Sequence, residues 1–469
     1  MLPVVLLAAL ALAQDVGAPP ESRRAVRWAE PEAPAPDDGL TFIGIVRSKA
    51  VLADMGTSNP LLDGQVVGLL GGLNGTLVDP ELKAFYVEQR LGAYATWAPP
   101  ILDGRVAMAL GFEIDFAWGD ASYGVGGNTG GGFGADQVNL QTQRLHLTVV
   151  ALDVPGHEIR VHAGLQFLPD GAFDPTRSTP DDLFRTGGGL RFFGSEAAGL
   201  SAYGRVRDGF GDRLLYRLGS FVLHEEGMAL ADDVTLHVAD ARWQPTWATG
   251  FGLHLWYLRD RSLGRAGTLG VGHTSLLSEL QGGPDLDLRP GGTGTAPEVN
   301  ADLLWIGLDA GYNHRLDRGP LGVTGLVLAH PGRLYVTDQR DYTGLTTGNS
   351  YGVVGALNPI HGCLLLFPDP FSINRYVSVA HDLSNQGDGL LGLSATAGWD
   401  PVPNRMTVEV GAGHARDGDG LGMGTEVNAR VHGEPFLFLD LGLQGGVVLG
   451  TDLAAPPWIV YASLDWIAF

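Results

Sequence analysis

The stretch RVAMALGFEIDFAWG, residues 105–119, decides how the rest of the chain is read. Val106, Met108, Leu110, Phe112, Ile114, Phe116 and Trp118 share one parity, while Ala107, Ala109, Gly111, Glu113, Asp115 and Ala117 share the other. In a β-strand those two sets face opposite ways. A soluble sandwich would bury such an apolar face with strands of about 5 to 6 residues. A membrane barrel turns it to lipid and lines its lumen with the other face, using spans of about 9 to 11 residues. The alternation here has the second length, and the small residues on its polar face suit a curved wall better than a solid core.

The same split recurs along the chain. Ile159, Val161, Ala163, Leu165 and Phe167 oppose Glu158, Arg160, His162, Gly164 and Gln166, and LLGLSATAGWD, NRMTVEVGAGHARD and GMGTEVNARVHG repeat it. Connections alternate in length: a long glycine-rich loop follows Trp118, only Asp-Val-Pro-Gly follows Leu152, and PDGAFDPTRSTPDDLFRT follows Leu168. An up-and-down barrel with large external loops and tight periplasmic turns has that rhythm. The expected fold is therefore all-β, a transmembrane antiparallel up-and-down barrel of about 18 strands, with a range of roughly 16 to 20. Residues 61–70 and 274–280 are the doubtful spans, each also readable as a loop element over the barrel mouth.

Composition agrees. With 469 residues, 70 Gly, 45% hydrophobic and 17% charged residues, the chain is too glycine-rich and too poor in charge for an average soluble enzyme. A net charge of −22 argues against a nucleic-acid partner, since phosphate neutralisation needs a basic surface. The single Cys363 offers no intrachain disulfide. The opening MLPVVLLAALALAQ carries a short apolar run and an A-x-A site, although no Lys or Arg precedes the run. Residues 1–13 thus read as a signal peptide, 14–38 as a disordered periplasmic lead-in rich in Pro, Ala and Glu, and 39–469 as the barrel.

The chain ends WIVYASLDWIAF, with Trp458, Val460, Leu464 and Trp466 on one parity and Tyr461, Ile467 and Phe469 on the other, interrupted by Ser463 and Asp465. Here it resembles bacterial outer-membrane β-barrel proteins of the porin-like kind, whose last strand ends in phenylalanine. That resemblance implies the cell outer membrane as location and, as partners, outer-membrane lipid, lipopolysaccharide and the barrel-assembly machinery reading the strand that ends at Phe469. The middle stretch, DVTLHVADARWQPTWATGFGLHLWYLRD, looks more weakly like alginate-export-type porins. Interleaved carboxylates leave a polyanionic polymer unsupported as substrate.

The parity assignment turns Glu88, Arg90, Glu113, Asp115, Arg144, His146, Glu158, Arg160, His162, Arg205 and Arg207 toward the lumen. Charges of both signs on neighbouring walls order water and favour polar over apolar solutes. His146 and His162 follow the parity of Arg144 and Arg160 on adjacent strands, which reads either as a ligand-binding patch or, preferably, as plain solvation of a wet lumen. The expected function is passive diffusion of small hydrophilic solutes. A surface-exposed structural or ligand-binding barrel without open-channel activity is the second reading, an outer-membrane hydrolase the third. No enzyme activity, cofactor or metal site is expected, and monomer and trimer both stay open.

Local motifs yield to this frame. GGFGADQVN, residues 131–139, fits a calcium-binding nonapeptide, but its nearest counterpart GGTGTAPEV has Ala296 in place of the aspartate, and a lone coil builds no stack. It reads as an external loop. GNSYG offers Ser350 with Asp382 and His414 in hydrolase order, yet lacks the strand–turn–helix setting that motif requires. Neither Lys49 nor Lys83 sits in a phosphate-binding loop, and RDGDGLG lacks the third EF-hand ligand at Leu421. Residues 338–374 form the least strand-like part, with the apolar run CLLLF, and read as a segment that narrows the barrel or caps it.

Overall fold

The computed structural model describes residues 39–54, 66–67, 83–100, 103–117, 139–168, 171–172, 174, 176, 196–208, 211–224, 233–245, 249–260, 301–316, 325–337, 364–365, 379–380, 390–402, 406–416, 422–436, 439–450 and 456–468. Alternating sequences become strands throughout. They are β1 (Leu40–Asp54), β2 (Val66–Val67), β3 (Lys83–Trp97), β4 (Val106–Ala117), β5 (Asn139–Val154) and β6 (His157–Phe167). Next come β7 (Glu196–Asp208), β8 (Gly211–His224), β9 (Val234–Trp243), β10 (Thr249–Asp260), β11 (Ala301–Leu316) and β12 (Gly325–Thr337). The series closes with β13 (Val379–Ala380), β14 (Leu390–Val402), β15 (Met406–Arg416), β16 (Gly422–Phe436), β17 (Leu439–Leu449) and β18 (Trp458–Ala468).

Except for β2 and β13, each strand pairs antiparallel with its neighbours in sequence, and β1 pairs with β18 from Gly44↔Ala468 to Asp54↔Trp458. The sheet is thus a closed barrel, and closure leaves no edge strand to satisfy elsewhere. Among the described residues it has 16 strands of 10 to 16 residues, the low end of the expected range. The difference lies partly in residues 61–70: their Val66–Val67 pairs with Val379–Ala380 in a separate two-stranded sheet that ties two long connections together. Residues 274–280 lie outside the described residues.

Short connections such as 155–156, 209–210 and 437–438 gather at one end, and the long ones, 55–82, 118–138, 168–195, 261–300 and 338–389, at the other. Local chemistry makes the tight turns. Pro155 presets the first turn position after β5, and Gly156 takes the positive φ (80°) that the second demands. Asp103 and Gly104 both adopt positive φ, the pattern that closes a hairpin with the sheet's own twist.

The two faces separate as the parity demands. Leu145 and Leu147 are 53% and 45% exposed while His146 between them is 4% exposed, and Leu218 at 58% follows Arg217 at 0%. Apolar side chains therefore cover the outside and polar ones the inside, the reverse of a soluble domain. Phe167 corrects the parity reading. Expected on the outer face, it is buried, with its ring centre 3.7 Å from the Arg144 guanidinium and 6.0 Å from that of Tyr94. The chain leaves the wall at the end of β6 and turns inward, so Leu168 and Ala172 are buried as well.

Candidate functional site in the barrel interior

Successive strands from β3 to β10 present polar and aromatic side chains to the interior. Tyr94 of β3 lies across Gly92 and Gly111, where a Cβ would stand 2.7 and 2.6 Å from its ring, so the glycines seat the aromatic. Arg144 then stacks on Tyr94 at 4.7 Å, as well as on Phe167. His146 and His162 follow on β5 and β6, their ring centres 5.3 Å apart. His146 Nδ1 bonds the Leu165 carbonyl at 3.2 Å, and His162 Nδ1 the Thr148 hydroxyl at 3.2 Å. His146 Nε2 is buried without a hydrogen-bond partner, and Tyr203, whose ring meets His162 edge-on at 5.1 Å, has its hydroxyl against Arg217.

The inward-turned segment after β6 completes this cluster. Asp174 Oδ1 lies 3.5 Å from His162 Nε2 and accepts from the Thr176 amide (2.9 Å) and hydroxyl (2.7 Å). Burial alone would raise the Asp174 carboxyl. The His162 ring beside it and the two Thr176 donors outweigh that and hold it at about 2.

Farther round the wall, one carboxylate organises three strands. Asp240 of β9 takes Arg217 Nε at 2.7 Å on Oδ2, with Nη2 2.5 Å from the same oxygen. Its Oδ1 takes His254 Nδ1 at 2.6 Å and Trp256 Nε1 at 2.9 Å. Register makes this arrangement: Arg217 pairs with Asp240, which pairs with His254.

The interior residues expected from the sequence divide into groups. Arg144, His146 and His162 come together as described. Glu158, Arg160 and Arg205 form a second group near the short-turn end, with Arg160 Nε donating to Glu158 at 2.7 Å and Arg205 Nη2 at 3.8 Å from it. Arg207 stands apart, exposed one residue before β7 ends. For Glu88, Arg90, Glu113 and Asp115 the backbone alone is described; register sets Lys49 against Glu88, Arg47 against Arg90, and Arg90 against Asp115.

Several interior residues carried no signal strong enough to single them out. Besides Arg217, Asp240, His254 and Asp174, these are Arg47 with Asp465 (2.5 Å), Arg430 with Glu409 (3.1 Å), and His432 with Asp440 (3.0 Å). Parity could have found those on strands, since each is a polar break in an alternating run; Asp174 lies past the end of β6, where parity does not reach. Asp465, read as an interruption of the last strand's pattern, is simply its inner face.

Segment 338–374 also touches the wall. The amides of Leu364 and Leu365 donate to the two oxygens of Glu426 at 2.6 and 2.8 Å, and Asn428 Nδ2 adds a third bond at 2.8 Å. All three of Leu364, Leu365 and Glu426 are buried. Of the hydrolase-like residues, Ser350 and Asp382 lie outside the described residues, and His414 is exposed and bonded to Thr425 at 3.0 Å. The stretch 131–138 is likewise outside them, while Asn139 begins β5.

No protein-family model matches the chain, and no curated protein matches it. Solved structures do align along most of its length. The outer membrane channel DcaP of Acinetobacter baumannii is 10% identical, covering 92% of this chain and 97% of that one with a TM-score of 0.44. An anion-selective porin from Comamonas acidovorans is 11% identical over 92% and 99%, with a TM-score of 0.45. OprB of Pseudomonas putida is 9% identical over 92% and 95%, with a TM-score of 0.47. At such identities neither solute nor selectivity passes from them to this chain.

Proposed function

We propose that the protein is an outer-membrane channel through which small hydrophilic solutes diffuse passively. The observation that carries this reading is the inversion of faces in a closed barrel: leucines and valines stand outward while Arg47, Lys49, Arg144, Glu158, Arg160 and Arg217 stand inward. Lipid is the solvent that such an exterior fits, and a wet, charged lumen is what such an interior fits. The N-terminal signal peptide and periplasmic lead-in belong to this reading, as do lipopolysaccharide around the rim and the assembly machinery acting on the last strand. Arg144, His146, Glu158, Arg160, His162 and Arg205, together with Glu88, Arg90, Glu113, Asp115 and Arg207, form its lumen wall.

A second reading, a barrel without open-channel activity, is favoured by one observation. The inward groups Lys49, His162, Arg217, His254 and Glu426 are all buried, as they would be in a closely packed interior. Planar-bilayer recording of the purified protein separates the two. Stepwise openings with measurable ion selectivity support the channel; a folded barrel that stays sealed overturns it in favour of the second reading.

A further inference from the structure

The outer wall carries a polar pair that a lipid surround leaves unexplained. Ser48 of β1 and Gln89 of β3 stand opposite each other in the register, and Gln89 Nε2 donates to Ser48 Oγ at 2.9 Å. Lys49 is buried and Leu52 is exposed, so Ser48 shares the outward parity. Both members of the pair are half-buried and lie near the middle of their strands. Outward positions near mid-strand elsewhere hold Leu147, Leu200, Leu218, Val410 and Leu443. Hydrocarbon offers an amide or a hydroxyl neither donor nor acceptor, so polar groups at that depth are costly unless protein covers them. The wall around the pair is also low: Gly44 lies opposite Ala93, and Ala50 opposite Ala462. Phe42, Leu52, Leu91 and Trp466 stand higher around it.

We propose that this face, formed by β18, β1, β3 and β4, is where a second copy of the chain packs in the membrane. Small residues let two backbones come close where lipid supplies no hydrophobic drive, and amides and hydroxyls then bond across the contact. Every copy inserts the same way up, so the symmetry axis runs along the membrane normal and the Ser48–Gln89 pair meets its own image beside it. An amide and a hydroxyl suit that encounter, since each carries both donor and acceptor. Among the described outward side chains of these four strands none is charged, so like copies meet there without repulsion. Four strands about 4.8 Å apart and tilted about 40° span roughly 25 Å, and the apolar band is about 25 Å tall. Such a face covers about 600 Å² per copy and about 1,200 Å² for two, above the roughly 1,000 Å² that a specific interface needs.

The inference rests on the lipid-facing exterior of the proposed function. Its test measures association and not conductance, so a folded barrel that stays sealed overturns the channel and not this face. Full-length protein carrying Cys363→Ser is refolded into vesicles at high lipid excess with one new thiol, Ala93→Cys on the face or Leu218→Cys on a distant part of the wall. A short thiol-to-thiol reagent should link copies through Ala93→Cys several-fold faster than through Leu218→Cys. Adding Ala50→Trp should abolish that link, and adding Gln89→Leu should weaken association about 3- to 30-fold. Both changes face lipid in a lone barrel, so its unfolding midpoint should hold; if Ala50→Trp fails to fold, Gln89→Leu gives the same reading. Equal linking at the two thiol sites, single copies throughout, or association unchanged in whichever variants fold overturns the proposal. Links to a different protein in native membranes, with none between copies, overturn it as well.

Discussion

Replacing Asp240 with alanine is the sharpest test of the interior. The carboxylate holds Arg217 through two nitrogens at 2.7 and 2.5 Å and also receives His254 and Trp256, and the side chains of Arg217 and Asp240 are both 0% exposed. Asp240→Ala leaves the Arg217 guanidinium in the same buried place without its carboxylate. Removing one partner of a buried pair costs about 3–5 kcal/mol, because the surviving charge has lost both water and counterion. That is roughly two to four orders of magnitude in the folding equilibrium. The paired change Arg217→Met with Asp240→Leu removes both charges and should cost far less than the two single changes summed, since apolar replacement of a buried pair is often close to neutral. Reversible urea unfolding in lipid vesicles, followed by tryptophan fluorescence, supplies the four corners of the cycle. A cost for Asp240→Ala below about 1 kcal/mol, or additive single changes, would refute the reasoning by showing that the pair is hydrated.

Other expectations follow from the same wall. Leu218→Arg on the outer face should destabilise the membrane-embedded barrel by about 2–4 kcal/mol while the apolar change Leu218→Met costs much less; equal costs in vesicle unfolding would contradict the membrane reading. Gly199→Ala should cost about 1–3 kcal/mol by overpacking, since the new Cβ would lie 2.3 Å from the Ser220 carbonyl oxygen, and equilibrium unfolding measures it. Glu426→Gln replaces one of two acceptors facing the Leu364 and Leu365 amides with a donor, so proteolysis near residue 364 should quicken if that contact holds the segment. The depressed Asp174 carboxyl stabilises the folded state above its ordinary value of 3.8, and that stabilisation disappears as pH falls toward about 2. Asp174→Asn should therefore flatten stability against pH within that window. An open channel should prefer cations at low salt and lose the preference as salt rises; an anion preference would contradict the charge distribution argued below.

Strand identity was legible because burial on one face writes a period of two into the sequence. Arg144, His146, Glu158, Arg160 and His162 could be placed on one side by parity alone. Their partners could not, since cross-strand register depends on bulges that parity does not mark. The β4–β5 register shifts between Gly111 and Phe112, and the β5–β6 register between Val150 and Leu152. Arg217, Asp240 and His254 are lone polar residues, one on each of three strands, and only register makes them a cluster. Phe167 misled for a different reason: the parity rule holds while the chain stays in the sheet, and there the chain is leaving it.

The charge distribution connects these observations to transport. Most described interior charges meet an opposite charge across or along the wall, as in Arg47 with Asp465, Arg217 with Asp240, Arg430 with Glu409, and Arg160 and Arg205 with Glu158. Such pairs cancel at short range, so they orient water without giving the lumen a large net field. The net charge of −22 must reside elsewhere. The eight connections at the long-loop end, 55–82, 118–138, 168–195, 225–233, 261–300, 338–389, 417–421 and 450–457, contain 25 Asp and Glu against 8 Arg and no Lys. The strands and short turns hold 21 Asp and Glu against 19 Arg and Lys, so it is net acidity that is concentrated in the connections of one mouth. At low ionic strength that mouth concentrates cations before they reach the interior, and above about 0.1 M the Debye length of about 10 Å confines the effect to the loops themselves. On the channel reading, selectivity is therefore expected at the entrance, and the paired wall with the contacts at Asp174 and Glu426 is expected to govern width.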